Sequence, residues 1–138
     1  MALAWWREDE VMQLPEDLRY TEQHQWLRLE PGGTAVIGIT DFAQEELGEI
    51  VYVDHPNIDD TVEKGQAFGE VESNKTASEV YAPCSGRVVA INEVVDNEPE
   101  RLNTDPYGEG WIIKVQPQNH DDFESLLDAD AYRRLIEG

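Results

Sequence analysis

The chain has 138 residues, 40% of them hydrophobic, and sets 30 Asp+Glu against 10 Lys+Arg for a net charge of -20. That apolar content is enough for one domain with a real core. The acidity excludes nucleic acid and anionic membranes as partners, since both require basic surfaces, and favours basic patches on other proteins. Cys84 is the single cysteine, which leaves no internal disulfide and points to a reducing compartment. No apolar run approaches the length needed to span a bilayer.

Residues 1–17 read as an N-terminal extension and 18–138 as the domain. Glu8, Asp9 and Glu10 stand where a secretion or organellar transit segment should be basic or poor in acids, so bacterial cytoplasm is expected ahead of a mitochondrial matrix. Trp5 and Trp6 are expected to be loosely ordered. Residues 20–39 then predict a hairpin: Trp26, Leu27 and Leu29 on one arm, Ala35, Val36, Ile37 and Ile39 on the other, with Pro31-Gly32-Gly33 at the bend. TDFAQEELG predicts a short helix over 41–47, with Asp41 as N-cap, Gln44 three residues on, and Gly48 at the C-terminal stop.

EIVYVDHP predicts a strand ended by Pro56, and 57–65 a polar connection. AFGEVES and ASEVYAP predict two strands joined at Asn74-Lys75, and RVVAINEVV and WIIKVQ two more, separated by a long loop rich in turn formers. In the tail, Phe123, Leu126, Leu127, Tyr132, Leu135 and Ile136 fall at helical spacing, acidic first and basic later. Many short strands with frequent turn signals define a mainly β fold, a sandwich or flattened barrel, with one short helix near 41–47 and a C-terminal helix.

Several chemistries find no footing. His24, His55 and His120 lie far apart without a Cys or acid at metal-ligand spacing, so no metal site is expected. No glycine loop has the flanks of a phosphate cradle, and no serine sits in a nucleophile elbow. Carboxylates are too numerous for any chosen pair to be meaningful. Cys84 reads as a small, partly buried filler, and Trp26 and Trp111 as core.

The remaining feature is VESNKTASEVYAP, which sets Lys75 at a hairpin tip. A two-residue turn at Asn74-Lys75 opposes Ser73 to Thr76, Glu72 to Ala77, Val71 to Ser78, and Glu70 to Glu79. Opposed glutamates cost stability, and Lys is a poor second residue for a type I′ turn, so other registers stay open. Lys75 could merely relieve acid crowding or protect a strand edge.

The pieces GITDFAQEELGEIVYV, FGEVESNKTASEVYAPCSGRVVAINE and NTDPYGEGWIIKV resemble, in order and spacing, the H protein of the glycine cleavage system, across about Leu18 to Ile136. The resemblance implies a fold like that of lipoyl and biotinyl hammerhead domains. It implies lipoate in amide linkage on Lys75, within a recognition hairpin made by Glu72, Ser73, Thr76 and Ser78. It also implies a carrier, not an enzyme, acting in glycine catabolism and one-carbon metabolism. Such a carrier takes an aminomethyl group from pyridoxal-phosphate glycine decarboxylase to a tetrahydrofolate-dependent aminomethyltransferase, and dihydrolipoamide dehydrogenase then reoxidises it. A lipoate ligase, or a lipoyl or octanoyl transferase, would attach the arm.

Neighbouring readings are an H-like relay serving 2-oxoacid dehydrogenases or another pathway, a biotin carrier, and an unmodified domain. A biotin carrier usually has Met on both sides of the lysine, where Asn74 and Thr76 stand here.

The resemblance further implies a cleft that shields the loaded arm from water, with His24, Gln25 and Glu79 as its candidates. Two positions depart from the family pattern. Asn74 stands where Val is more frequent, with little expected effect on ligation. Gln25 stands where the family usually has Glu, so a charge-assisted bond to the arm's amine, roughly twice as strong as a neutral one, is lost. Glu79 could compensate. Spontaneous release of the aminomethyl group is therefore expected to be faster from the native protein than from Gln25→Glu; equal rates would dismiss the idea.

Overall fold

A computed structural model describes residues 12–138, so Trp5 and Trp6 lie outside the described residues. Strands β1 (Arg19–Tyr20), β2 (Gln25–Leu29) and β3 (Ala35–Ile39) lead into helix α1 (Asp41–Leu47). Strands β4 (Ile50–Asp54), β5 (Thr61–Val62), β6 (Ala67–Ser73), β7 (Ala77–Tyr81) and β8 (Gly86–Ile91) follow. Helices α2 (Glu93–Asn97) and α3 (Arg101–Thr104) precede β9 (Ile113–Pro117), and α4 (Asp121–Glu124) and α5 (Ala129–Glu137) close the chain.

The strands form two antiparallel sheets, one of six in the order β1-β2-β3-β9-β8-β5 and one of three in the order β4-β6-β7. Their facing sides enclose the main core, which includes Leu27, Ile37 and Ile39 from the larger sheet and Ile50, Val53, Val71 and Val80 from the smaller. The mainly β architecture read from the sequence is the one found.

Strand β3 is buried along its whole length because it is covered on both faces. Ala35, Ile37 and Ile39 point to the main core, and Val36 points to a second cluster with Leu18, Tyr20, Trp26 and Tyr132. Gly38 pairs with Trp26, and a Cβ there would meet the indole at 2.8 Å, so glycine is what lets the ring lie flat against the strand. The Trp26 indole N–H donates to the Pro106 carbonyl at 3.0 Å, which satisfies its one polar atom inside the cluster. Trp111 is only partly buried, at the margin of that cluster under the Lys114 ammonium.

Helix boundaries differ from the sequence expectation in instructive ways. Thr40, not Asp41, caps α1, accepting the Ala43 N–H, while Asp41 in the first turn accepts from the Gln44 side chain. The strand read over RVVAINEVV stops at Ile91: Asn92 caps α2 through the Val94 N–H, and its amide bonds the carbonyls of Glu109 and Trp111. A side chain that satisfies three backbone groups across the loop ends the ladder there.

The loop after it holds α3, and the polar connection 57–65 holds the two-residue strand β5. The tail is two helices, because Asp128 starts α5 afresh by accepting from Ala131 N–H, and Leu127 bridges to Tyr20 instead of continuing α4. In α5, Tyr132 is buried whereas Leu135 is 45% exposed.

His55, just beyond β4, pins the smaller sheet to α2. Its Nε2 lies 2.9 and 3.1 Å from the two Asp96 carboxylate oxygens, and its Nδ1 lies 2.9 Å from the Pro56 carbonyl. Both partners only accept, so the doubly protonated ring fits. Burial alone would lower its pKa, but the Pro56 and Asp96 bonds and the charges of Asp96 and Asp54 outweigh it, and the pKa is raised from 6.5.

The folded value exceeds the unfolded one, so the stabilisation is complete below the unfolded pKa and is lost as pH rises through the folded one. Asp96 is 40% exposed, which holds the effect to about 1 kcal/mol. Asp96→Asn is therefore expected to cost stability at pH 6 and much less at pH 9, as read by urea denaturation at each pH. An equal cost at both would show that the pin carries no ionic component.

Candidate functional site

The β6–β7 hairpin has the register expected of a two-residue connection, with Glu72 opposite Ala77, Val71 opposite Ser78, and Glu70 opposite Glu79. The turn itself is not type I′: Asn74 and Lys75 are absent from the non-glycine residues with positive φ, and I′ needs positive φ at both central positions. Ser73 makes this possible. Its N–H donates to the Thr76 carbonyl at 2.8 Å, and its hydroxyl oxygen accepts the N–H groups of both Lys75 and Thr76 at 3.2 Å. One hydroxyl thereby stands in for the backbone acceptor of a tight turn.

The tip is fastened to its neighbour as well as to itself. Asn74 donates its backbone N–H to the Glu49 carbonyl at 3.2 Å and its side-chain amide to the Glu49 carboxylate at 2.9 Å. Glu49 is in turn held between Gly48 and Ile50, which share one partner, Asn103 of α3. The Asn103 amide donates to the Gly48 carbonyl at 2.8 Å and to the Gln44 side chain at 2.9 Å, and its oxygen accepts the Ile50 N–H at 2.8 Å. Asn103 thus closes the end of α1 onto the start of β4, directly beside the hairpin tip.

Lys75 is exposed, and no ion pair or hydrogen bond reaches its amine among the described residues. Its methylenes lie over Gly48, where a Cβ would come 3.2 Å from Cε and 3.8 Å from Nζ. Gly48 has φ +86, so the bare backbone at this point suits both the helix stop and the side chain that passes over it. Thr76 and Ser78 are exposed on the far arm, and Glu72 lies half-buried three residues before the lysine.

The cleft candidates divide into two places. Glu79 sits on β7, exposed, and accepts from the Tyr81 hydroxyl at 3.0 Å. His24 lies at the other end of α1, its ring 4.7 Å from that of Phe42 and its Nδ1 2.7 Å from the Tyr132 hydroxyl, which in turn meets the Thr40 hydroxyl at 2.8 Å. Burial lowers the His24 pKa, with the Glu46 charge opposing, and burial pushes the Tyr132 hydroxyl up to about 12. The pair is therefore a neutral hydrogen-bonded unit that also steadies the cap of α1.

Gln25 is 2% exposed, and both ends of its amide are engaged: its oxygen accepts from the Thr21 hydroxyl at 2.6 Å and its nitrogen donates to the Gln23 carbonyl at 3.0 Å. These bonds shape the turn in which His24 takes φ +76. Cys84 is 1% exposed, and burial pushes its thiol up to about 12, so it stays protonated.

Two antiparallel sheets closed over a core, with an exposed lysine mounted on a braced hairpin, define the class of β domain to which this chain belongs. The family described as Glycine cleavage H-protein matches residues 18–138, and the chain belongs to that family. It is 56% identical over 120 residues to the glycine cleavage system H protein of Psychrobacter sp. (strain PRwf-1), covering 87% of this chain and 95% of the relative. Against the H protein of Anaeromyxobacter sp. (strain K) it is 50% identical over 126 residues, covering 91% and 98%. The crystal structure of a glycine cleavage system H protein from Mycobacterium marinum superposes with a TM-score of 0.83 at 39% identity, covering 91% of this chain and all of that one.

Asn103 was invisible to sequence reasoning because its partners lie 53 to 59 positions away. Asn103→Ala leaves the Ile50 N–H and the Gly48 carbonyl without their partner, an expected loss of about 1–3 kcal/mol in urea denaturation. Amide exchange should speed up selectively at Ile50 and Asn74. Unchanged stability would show that Asn103 is not the brace.

Proposed function

We propose that Lys75 carries lipoate in amide linkage, and that the protein moves the aminomethyl group of glycine between enzymes of the glycine cleavage system. The observation that carries this reading is a lysine whose surroundings are fixed while its own amine is left free. The turn is set by Ser73 and fastened by Asn74 to Glu49, yet no described group bonds Nζ. A lysine kept for a salt bridge would be expected on one of the many nearby carboxylates. The bare surface at Gly48 gives an extended arm room to leave the tip.

When bound, lipoate supplies a disulfide that accepts the aminomethyl group and is later reoxidised. The chain's own residues supply mounting and shelter. A carrier on a rigid support turns encounters between separate enzymes into delivery by a tethered group, which raises effective concentration at each site. Helix α1 offers a track of roughly 10 Å, at 1.5 Å per residue, from Gly48 beside Lys75 to Phe42 beside His24. Residues along that track and the neutral His24–Tyr132 pair at its far end would shelter the arm, with Glu79 on β7 as a further group that would meet it. Gln25 acts there by fixing the turn that carries His24. The partners are glycine decarboxylase, the aminomethyltransferase, dihydrolipoamide dehydrogenase and the enzyme that attaches lipoate, each acting on the same exposed arm.

Incubation of the full chain with a lipoate ligase, lipoate and ATP should raise its intact mass by one lipoyl group, and Lys75→Ala should abolish the increase. No increase, or one that survives Lys75→Ala, would overturn the assignment.

A further inference from the structure

A strand that alternates hides every second residue, but β4 does not alternate. Its register with β6 shifts between Ile50 and Tyr52, and this bulge turns two consecutive side chains outward. Ile50 and Val53 are buried at 1% and 5%, whereas Val51 and Tyr52 between them are 47% and 52% exposed.

Beside it, the outer face of the smaller sheet carries carboxylates in register. Tyr52, Glu72 and Ala77 form one cross-strand row, and Asp54, Glu70 and Glu79 form the next. Directly opposed like charges destabilise a sheet. For the isolated protein, then, this face combines a half-exposed apolar pair with a row of mutually repelling acids. Against a basic surface with an apolar recess both features become favourable, since the recess buries Tyr52 and the cations relieve the repulsion.

The position of the face selects its occupant. Tyr52 pairs with Glu72, three residues before Lys75, which puts it on the order of 10 Å from the tip along the strand. A standard interface covers about 800 Å² per partner, a disc roughly 16 Å in radius. An enzyme that takes the Lys75 side chain into its active site from this face, over such an area, covers Tyr52.

We propose that the outer face of the β4-β6-β7 sheet is the docking surface for the enzyme that acylates Lys75, with Tyr52 and Val51 as apolar anchors and Glu70, Glu72 and Glu79 as the rim that selects a basic partner. This rests on the lipoylation of Lys75 proposed above.

The test follows lipoylation of the full chain by intact mass, with a lipoate ligase, lipoate and ATP, at varied acceptor concentration. Tyr52→Ser should lower kcat/KM about tenfold through KM, the scale of one lost aromatic anchor, with kcat little changed. Leu135→Ser, a comparably exposed residue on α5, should behave like the wild type. The double variant Glu70→Gln/Glu79→Gln removes repulsion and so does not endanger folding; its rate should fall less steeply with salt than that of the wild type. With wild-type lipoylation in hand, the docking surface is overturned if Tyr52→Ser stays within about twofold of the wild type or if Leu135→Ser falls as far. An unchanged salt dependence in the double variant overturns it as well. Absence of wild-type lipoylation is a different result, which removes the carrier function itself.

Discussion

The pairing of β4 with β6 is the constraint on which the rest of the molecule depends. Through it Val53 meets Val71 on the inner face, so the smaller sheet closes over the main core instead of standing off it. The same pairing sets Ile50 opposite Ser73, which brings the end of α1 against the hairpin tip and lets Asn74 reach Glu49. An isolated two-stranded hairpin is marginal in water. Here the third strand and the Asn103 bonds behind it convert the hairpin into a fixed mount. The bulge that exposes Val51 and Tyr52 belongs to this same ladder. One stretch of backbone pairing therefore links core closure, the position of the lysine and the character of the surface around it.

Strand content and the central hairpin register were legible because both depend on local alternation. Glu72 opposite Ala77 and Glu70 opposite Glu79 follow once Asn74-Lys75 is taken as the connection. What sequence could not supply was anything settled by a distant partner. The strand read through Asn92 ends there because that amide bonds Glu109 and Trp111 across a loop. The helical spacing of the tail is interrupted because Leu127 pairs its backbone with Tyr20. The β4 bulge leaves no mark in EIVYVDHP, where Val51 and Tyr52 look like any strand residues. At α1 the difference was a single position, since Thr40 and Asp41 are both good caps and the fold uses each differently: Thr40 meets Ala43 N–H and Tyr132, while Asp41 meets the Gln44 side chain and the Gln13 N–H.

The two histidines with resolved shifts show how the fold manages charge in so acidic a chain. His55 has two acceptors and favours the protonated form, whereas His24 is buried against Phe42 and Tyr132 and favours the neutral one. Their contributions to stability run in opposite directions with pH: the first is lost as pH rises, the second as pH falls. Neither arrangement involves Lys75. The positive charges that do form ion pairs, such as Lys114 with Glu30 and Arg101 with Glu98 and Glu109, pair with acids outside the hairpin.

The departures from the family pattern are best understood in the same terms. At Asn74 the side chain that seemed incidental in sequence supplies a second bond between the tip and Glu49, beyond the one its backbone already makes. At Gln25 the amide can donate as well as accept, and the structure uses both functions, Thr21 on one side and the Gln23 carbonyl on the other. A carboxylate could keep the Thr21 bond but has no proton at neutral pH for the Gln23 carbonyl. The amide therefore matches the local bonding of this particular turn, and the turn is what holds His24 at the far end of α1 from Lys75.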